Sequence, residues 1–196
     1  MISLAELKRS IFGAWLLARF DQNGLLFFEN SVGAFWRSYW AAILAAPAYV
    51  TLVIIRAQDS TYAVGPLSAI TIQTSSYIIG WFAMPFVMLY VCRIIDKEDR
   101  FLKYFIAYNW AVLLQVTLIF VIAILAKFGV FPSVLSGLLT FIAIMGILVY
   151  QGFIAHVALI IPRAGAFGVV LLDLIISLSV DSWTAKLLLG HRLFGG

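Results

Sequence analysis

Five long apolar runs decide most of what this chain can become. They lie at about 38–55, 68–92, 104–126, 133–161 and 164–180. A transmembrane helix needs about 20 apolar residues, within a range of about 17–25. The first and fifth runs sit near the lower limit, and the fourth is long enough to tilt. A water-soluble fold of 196 residues has nowhere to hide them, because 64% of the chain is hydrophobic and only 11% is charged. Ordinary soluble domains are about 45–50% apolar and about 25% charged. The predicted class is therefore all-α: a polytopic membrane helical bundle of five transmembrane helices with an N-terminal amphipathic interfacial helix. The connections are short, so successive spans run antiparallel and side by side. The chain divides into an N-terminal segment, 1–35, a five-helix domain, 36–189, and a tail, 190–196. Residues 181–189 either extend the fifth span or lie at the interface.

The segment before the first span reads as a helix over 3–20. Ser3 and Glu6 have capping-box spacing. Leu4, Leu7, Ile11, Ala14, Trp15 and Ala18 recur at helical intervals. Two placements fit: an anchor lying in the membrane interface, or a helix packed on the bundle. Lys8 and Arg9 before "IFGAWLLA" look like the start of a signal peptide, but Glu6, Arg19 and Asp21 argue against one, and no cleavage is expected. Asp21, Asn23 and Gly24 then break the helix and turn the chain.

Basic residues report orientation. With the N-terminus inside, inner segments hold Lys8, Arg9, Arg19, Arg37, Arg93, Lys97, Arg100, Lys103 and Arg163, whereas outer segments hold only Arg56, Lys127, Lys186 and Arg192. The expected topology is an N-terminus in the cytoplasm and a C-terminus outside, across a bacterial inner membrane. Trp36, Tyr39, Trp40, Tyr90 and Tyr104 read as headgroup-level aromatics. The net charge of +4 belongs to these topology signals. It forms no basic stripe interleaved with aromatics, so the expected anionic partner is the lipid bilayer and not nucleic acid. In the loop "RIIDKEDRFLK", Asp96, Glu98 and Asp99 oppose four cations, as in a solvated connector with internal ion pairs.

Ionisable groups at membrane depth are the informative ones. Two fall well inside the runs, His156 and Asp173. At the helical rise, His156 lies about 8 Å, Asp173 about 14 Å and Asn109 about 9 Å from the inner ends of their spans. The expectation is a polar cluster in which Asp173 pairs first with His156 and second with Asn109. An unpaired carboxylate at a helix centre costs about 2.5–3.5 kcal/mol on insertion scales. Such a cluster serves either as interhelical glue or as an ion-coupling site. In "TIQTSSY", Thr71, Gln73, Thr74, Ser75 and Ser76 would line an outer cavity in the coupling reading and bond backbone or neighbouring helices in the other. Small-xxx-small spacings at Ala41/Ala45, Ala42/Ala46, Ala107/Ala111, Ser133/Gly137 and Ala164/Gly168 suit close helix packing, within the chain, against a second copy or against other membrane proteins.

No nucleophile elbow, zincin helix, phosphate loop, dinucleotide fingerprint or Cys–His metal pattern occurs, so no enzyme activity, cofactor or metal is expected. The single cysteine, Cys92, reads as a small buried hydrophobe.

Five spans, an amphipathic cytoplasmic start and an outside C-terminus, together with "DRFLKYFIAYNWA" at 99–111, resemble the Yip1-like membrane proteins and their bacterial members. The resemblance covers about 36–180 and lies chiefly in layout. Gly65-Pro66-Leu67 stands between spans one and two, whereas the eukaryotic family carries a Tyr-Gly-Pro stretch before its first span. The resemblance implies a five-span bundle and transfers no site residue. The functional expectation is a small membrane scaffold or interaction protein; the alternative is an ion- or proton-coupled transporter built on His156, Asp173 and Asn109.

Overall fold

A computed structural model describes residues 2–58 and 62–189, the side chains of Arg56 and Gln58 excepted. The tail at 190–196, with His191 and Arg192, lies outside the described residues. The elements are α1 (Leu4–Ala18), a short 3-10 helix (Gln22–Phe27), α2 (Val32–Ser38), α3 (Trp40–Gln58), α4 (Pro66–Ile94), α5 (Glu98–Lys127), α6 (Ser133–Leu159) and α7 (Arg163–Leu188). Five stretches are long and apolar enough to cross a membrane: Val32–Ile55, spanning α2 and most of α3, and the whole of α4, α5, α6 and α7.

The predicted runs are present; α4, α5 and α7 are longer at both ends than predicted, for local reasons, whereas α6 ends at Leu159, two residues short of the predicted 161. Pro66 starts α4 at a first-turn position where its missing N–H costs nothing. Glu98 and Asp99 start α5 ahead of the expected residue 104, since acidic side chains favour the positive end of the helix dipole. The fifth span runs on to Leu188, which settles residues 181–188 as helix. Between α6 and α7 the chain turns within three residues. Ile160 adopts a left-handed φ of 53°, at a cost of about 1–2 kcal/mol for an L-residue. Pro162 follows and prevents α6 from continuing.

Helix α5 is the centre of the bundle and packs on α1, α2, α3, α4 and α6. Helix α7 packs on α4 and α6, closing a ring of α4, α5, α6 and α7. Ala41 and Ala45 on α3 and Ala107 and Ala111 on α5 are fully or almost fully buried, so their spacing does let two helices approach. Ser133/Gly137 and Ala164/Gly168 instead face outward, and an added Cβ at Gly137 or Gly168 would meet nothing within 4 Å. Large apolar side chains such as Ile43, Ile70, Phe86, Phe141, Val149 and Ile175 cover the outer faces. No span has more than 28% of its most apolar window buried inside the protein. Left in water, these faces would forgo most of the free energy available from burial.

The N-terminal segment is docked on the bundle. Ser3 caps α1 by accepting from the Glu6 amide at 3.1 Å. The Glu6 carboxylate does not close the capping box; it pairs with Arg37 of α2 at 2.7 Å. The buried face of α1 is Ser10, Gly13, Ala14 and Leu17. Four of the six residues of the predicted stripe do face the protein, with Ala14 buried and Leu7, Ile11 and Ala18 partly buried against the core, whereas Leu4 and Trp15 remain exposed. Small residues win this face because α1 lies directly on the 3-10 turn: a Cβ on Gly24 would come within 2.5 Å of the Gly13 carbonyl oxygen. The Tyr150 hydroxyl of α6 donates to the Ala14 carbonyl at 2.7 Å, and Lys103 of α5 donates to the Phe28 carbonyl at 2.5 Å. With Leu4, Phe12, Trp15, Phe20 and Leu26 exposed outward, the segment joins the two predicted placements: one side packs on protein and the other remains apolar.

Tyr104 corrects another expectation. It is 2% exposed inside the core and is not a headgroup marker. Trp36 and Tyr90 do stand exposed. The loop between α4 and α5 forms the expected ion pairs, Arg93 with Glu98 at 3.4 Å and Arg100 with Asp99 at 2.9 Å.

Candidate functional site

Asp173 sits on α7 and is 7% exposed. Its partner is not His156. The Tyr108 hydroxyl of α5 donates to Asp173 Oδ1 at 2.8 Å, and Gln151 of α6 lines the same cavity as the carboxylate. Gln151 Nε2 donates to Gln115 Oε1 of α5 at 3.3 Å. Two hydrogen-bonded pairs, Tyr108–Asp173 and Gln151–Gln115, thus join α5 to α7 and α5 to α6 beside one another. Buried polar groups need such partners. Gln115 Nε2 is buried without a protein partner.

His156 does different work. Its Nδ1 lies 2.5 Å from the Ile161 carbonyl. A carbonyl only accepts, so this nitrogen carries the proton and donates. The ring closes the strained α6–α7 turn across Ile160. Geometry explains the missed pairing, since equal depth leaves the direction in which each residue points undetermined. Asn109 is also turned away from Asp173. It is fully buried, and its Nδ2 donates to Ser38 Oγ of α2 at 2.8 Å, while its Oδ1 has no partner.

A cavity of about 280 Å³ opens beside Asp173, inside the ring of α4, α5, α6 and α7. Asp173, Ser177 and Asp181 line it from α7; Ser76, Tyr77, Gly80, Trp81 and Met84 from α4; Tyr108 and Gln115 from α5; and Gln151 from α6. Tyr49 reaches it from α3. Gly80, Ser177 and Asp181 are exposed, so the cavity communicates with the surroundings, whereas Asp173 lies at its buried side. Asp173 and Asp181 are eight residues apart, about 12 Å along the helix. No Lys, Arg or His is among the lining residues. Among the described residues, the lining therefore carries two acidic groups and no cationic one.

Of the five residues expected around an outer cavity, Ser76 alone lines this one. It is buried and shares a 2.5 Å hydrogen bond with Thr184 of α7. Thr71 bonds the Leu67 carbonyl of its own helix, and Thr71, Thr74 and Ser75 are exposed on the outside of α4. Gln73 accepts from Tyr49 at 3.2 Å. The residues that sequence reading missed are Tyr108, Gln151, Ser177 and Asp181. Ending the fifth span at 180 set Asp181 at a boundary, although Asp173, Ser177 and Asp181 recur every four residues along one side of α7. Tyr108 and Gln115, seven residues apart on α5, likewise share a face.

Among the described residues, no three His, Cys, Asp or Glu side chains converge where a metal ion could be held. Cys92 is buried in the core. Comparison of the chain with family models, with curated proteins and with solved structures finds no match.

Proposed function

We propose that this protein is a small cation carrier of the bacterial inner membrane, with Asp173 as the binding carboxylate. The observation behind this reading is the cavity, which joins an exposed acid, Asp181, to a buried one, Asp173, among hydroxyl and amide side chains. An ionisable group at membrane depth marks an ion or substrate path by default when it faces an internal cavity. A scaffold with a dry interior gains nothing from such a cavity, whereas a carrier requires it. The polar groups expected to serve transport are thus exchanged: Tyr108, Gln151 and Gln115 surround Asp173 in place of His156 and Asn109. The Yip1-like layout enters only as topology. In that topology the α1 end, which gathers nine of the thirteen Lys and Arg residues, faces the cytoplasm, and α7 ends outside.

The test is flux. The full chain is reconstituted in liposomes holding an internal pH indicator, and a pH gradient is imposed. Sodium, potassium or choline chloride is then added outside. At least one cation is expected to accelerate dissipation of the gradient in the native protein and not in Asp173→Asn. No cation-dependent flux with any of the three would sink the carrier reading and return the scaffold reading to first place.

A further inference from the structure

A second cavity, of about 610 Å³, opens between α6 and α7 and shares no lining residue with the Asp173 cavity. Leu148, Val149 and Phe153 line it from α6, and Phe167, Leu171 and Leu174 from α7. Val149, Phe167 and Leu171 stand exposed on the outside of the bundle. The smallest lining residues are set deeper: Ala166 of α7 is buried and Gly152 of α6 is half-buried. Small side chains between large ones open an apolar groove between the two helices. Its length is informative. From Arg163 to Leu174, both of which line it, α7 rises about 16 Å. A bilayer's hydrocarbon core is about 30 Å thick, so one leaflet supplies about 15 Å. The groove therefore matches one acyl chain of one leaflet.

The groove is polar at one end only. Gln22, His156 and Arg163 gather there beside the α6–α7 turn, with Phe20 at the rim. The Phe20 ring packs edge-on against Phe153 of α6, with centroids 5.4 Å apart, which fixes that rim to the groove. Among the described residues, no acidic side chain lines the groove. The ion pairs among the described residues use Arg37, Arg93 and Arg100, so Arg163 is left without one. His156 Nδ1 is committed to the Ile161 carbonyl at 2.5 Å. In that tautomer the second ring nitrogen, Nε2, is an acceptor. The end thus offers a free guanidinium, an amide and a hydroxyl acceptor. An arginine at the end of a span is by itself an ordinary topology signal. Here it stands at the mouth of an apolar groove of leaflet depth, and basic pockets between spanning helices suit anionic headgroups.

We infer that this groove holds one anionic glycerophospholipid, its phosphate against Arg163, a headgroup hydroxyl donating to His156 Nε2 and one acyl chain lying between α6 and α7. In the orientation proposed above, the lipid comes from the cytoplasmic leaflet. The test is native mass spectrometry of the full chain in detergent, mixed with equal amounts of phosphatidylglycerol and phosphatidylcholine that carry the same acyl chains. Phosphatidylglycerol is expected to be retained at least about fivefold over phosphatidylcholine, the factor that one cation near an anionic headgroup supplies. Arg163→Gln should bring the ratio close to one. Arg163 is exposed and without an ion pair, so this variant is expected to fold. Gly152→Leu fills the groove from a position where an added Cβ makes only ordinary contact, with Val170 Cγ2 at 3.6 Å, and should also remove the preference; thermal unfolding checks that each variant is folded. Equal retention of the two lipids by the native chain overturns the inference, as does a preference that survives either folded variant. Glycerol 3-phosphate alone should not raise the unfolding temperature; a rise that depends on Arg163 would make this a site for free phosphate esters and overturn the lipid assignment. Flux is read on Asp173 and lipid retention on Arg163, so the carrier reading and this one can each fail alone.

Discussion

Replacing Gly24 by Ala separates the close docking of α1 from a loose association, because the two cases predict opposite signs. Gly24 does not have a positive φ, so Ala can adopt its backbone conformation. In open surroundings that change would stabilise by about 0.4–1 kcal/mol, by restricting the unfolded chain. Here the new Cβ would lie 2.5 Å from the Gly13 carbonyl oxygen, 2.8 Å from Leu17 Cγ and 3.0 Å from the Leu17 amide nitrogen. Two of those three atoms are backbone atoms of α1 and cannot rotate away. The helix must retreat by roughly 0.5–1 Å, and a gap of that size already forfeits a quarter to a half of each dispersion contact along it. Overpacking of this kind costs about 1–3 kcal/mol. The retreat also stretches the Tyr150–Ala14 bond, now 2.7 Å, so Gly24→Ala and Tyr150→Phe should be less than additive. The assay is thermal unfolding in detergent, read by the reaction of Cys92 with a thiol-reactive fluorophore. Cys92 is the sole cysteine and is fully buried, so the signal reports opening of the core. A lower unfolding temperature for Gly24→Ala is expected. An unchanged or higher one would refute the contact between α1 and the 3-10 turn.

Ser38→Ala strips the one partner from Asn109 Nδ2 in a fully buried site. It should cost about 1–3 kcal/mol, and adding Asn109→Leu should recover part of the loss, since removing both polar groups is cheaper than orphaning one. His156→Ala removes the side-chain bond across Ile160; about 1 kcal/mol is expected, seen as faster amide exchange at Ile161, whose N–H bonds the His156 carbonyl at 3.3 Å. The same variant should leave cation flux intact, and lost flux in a folded His156→Ala would restore the His156–Asp173 pairing. Topology reporters fused after Lys97 and after Gly196 should land on opposite sides of the membrane; a shared side would break the five-span count.

The spans were legible because a run of apolar residues leaves a chain few alternatives. Their ends were not, because charges such as Arg93 and Glu98 lie within the last or first turn of a long apolar helix and look, in sequence, like loop. That Asp173 would be buried and bonded to a neighbouring helix was legible from its cost in an apolar run. Its partner was not: depth follows from counting residues, but which neighbour a side chain meets depends on helix rotation. Tyr108 and Asn109 are consecutive in sequence, yet one faces Asp173 on α7 and the other Ser38 on α2. The N-terminal helix was legible in part: Leu7, Ile11, Ala14 and Ala18 do face the core, but Leu4 and Trp15 do not, and the close approach of Gly13 and Gly24 turns Ser10, Gly13 and Leu17 inward beside them.

The place of α7 in the chain has a consequence during synthesis. Helices α1, α2, α3 and α4, all of which pack on α5, emerge before it, while α6 and α7 come after. Both cavity acids arrive on α7, the last helix among the described residues. A nascent chain stalled after α6 would hold Tyr108, Gln115 and Gln151 around an unfilled slot with no carboxylate to accept the phenol proton. Such an incomplete intermediate leaves the Tyr108 hydroxyl without its acceptor, a chemical feature that distinguishes an unfinished chain from a finished one.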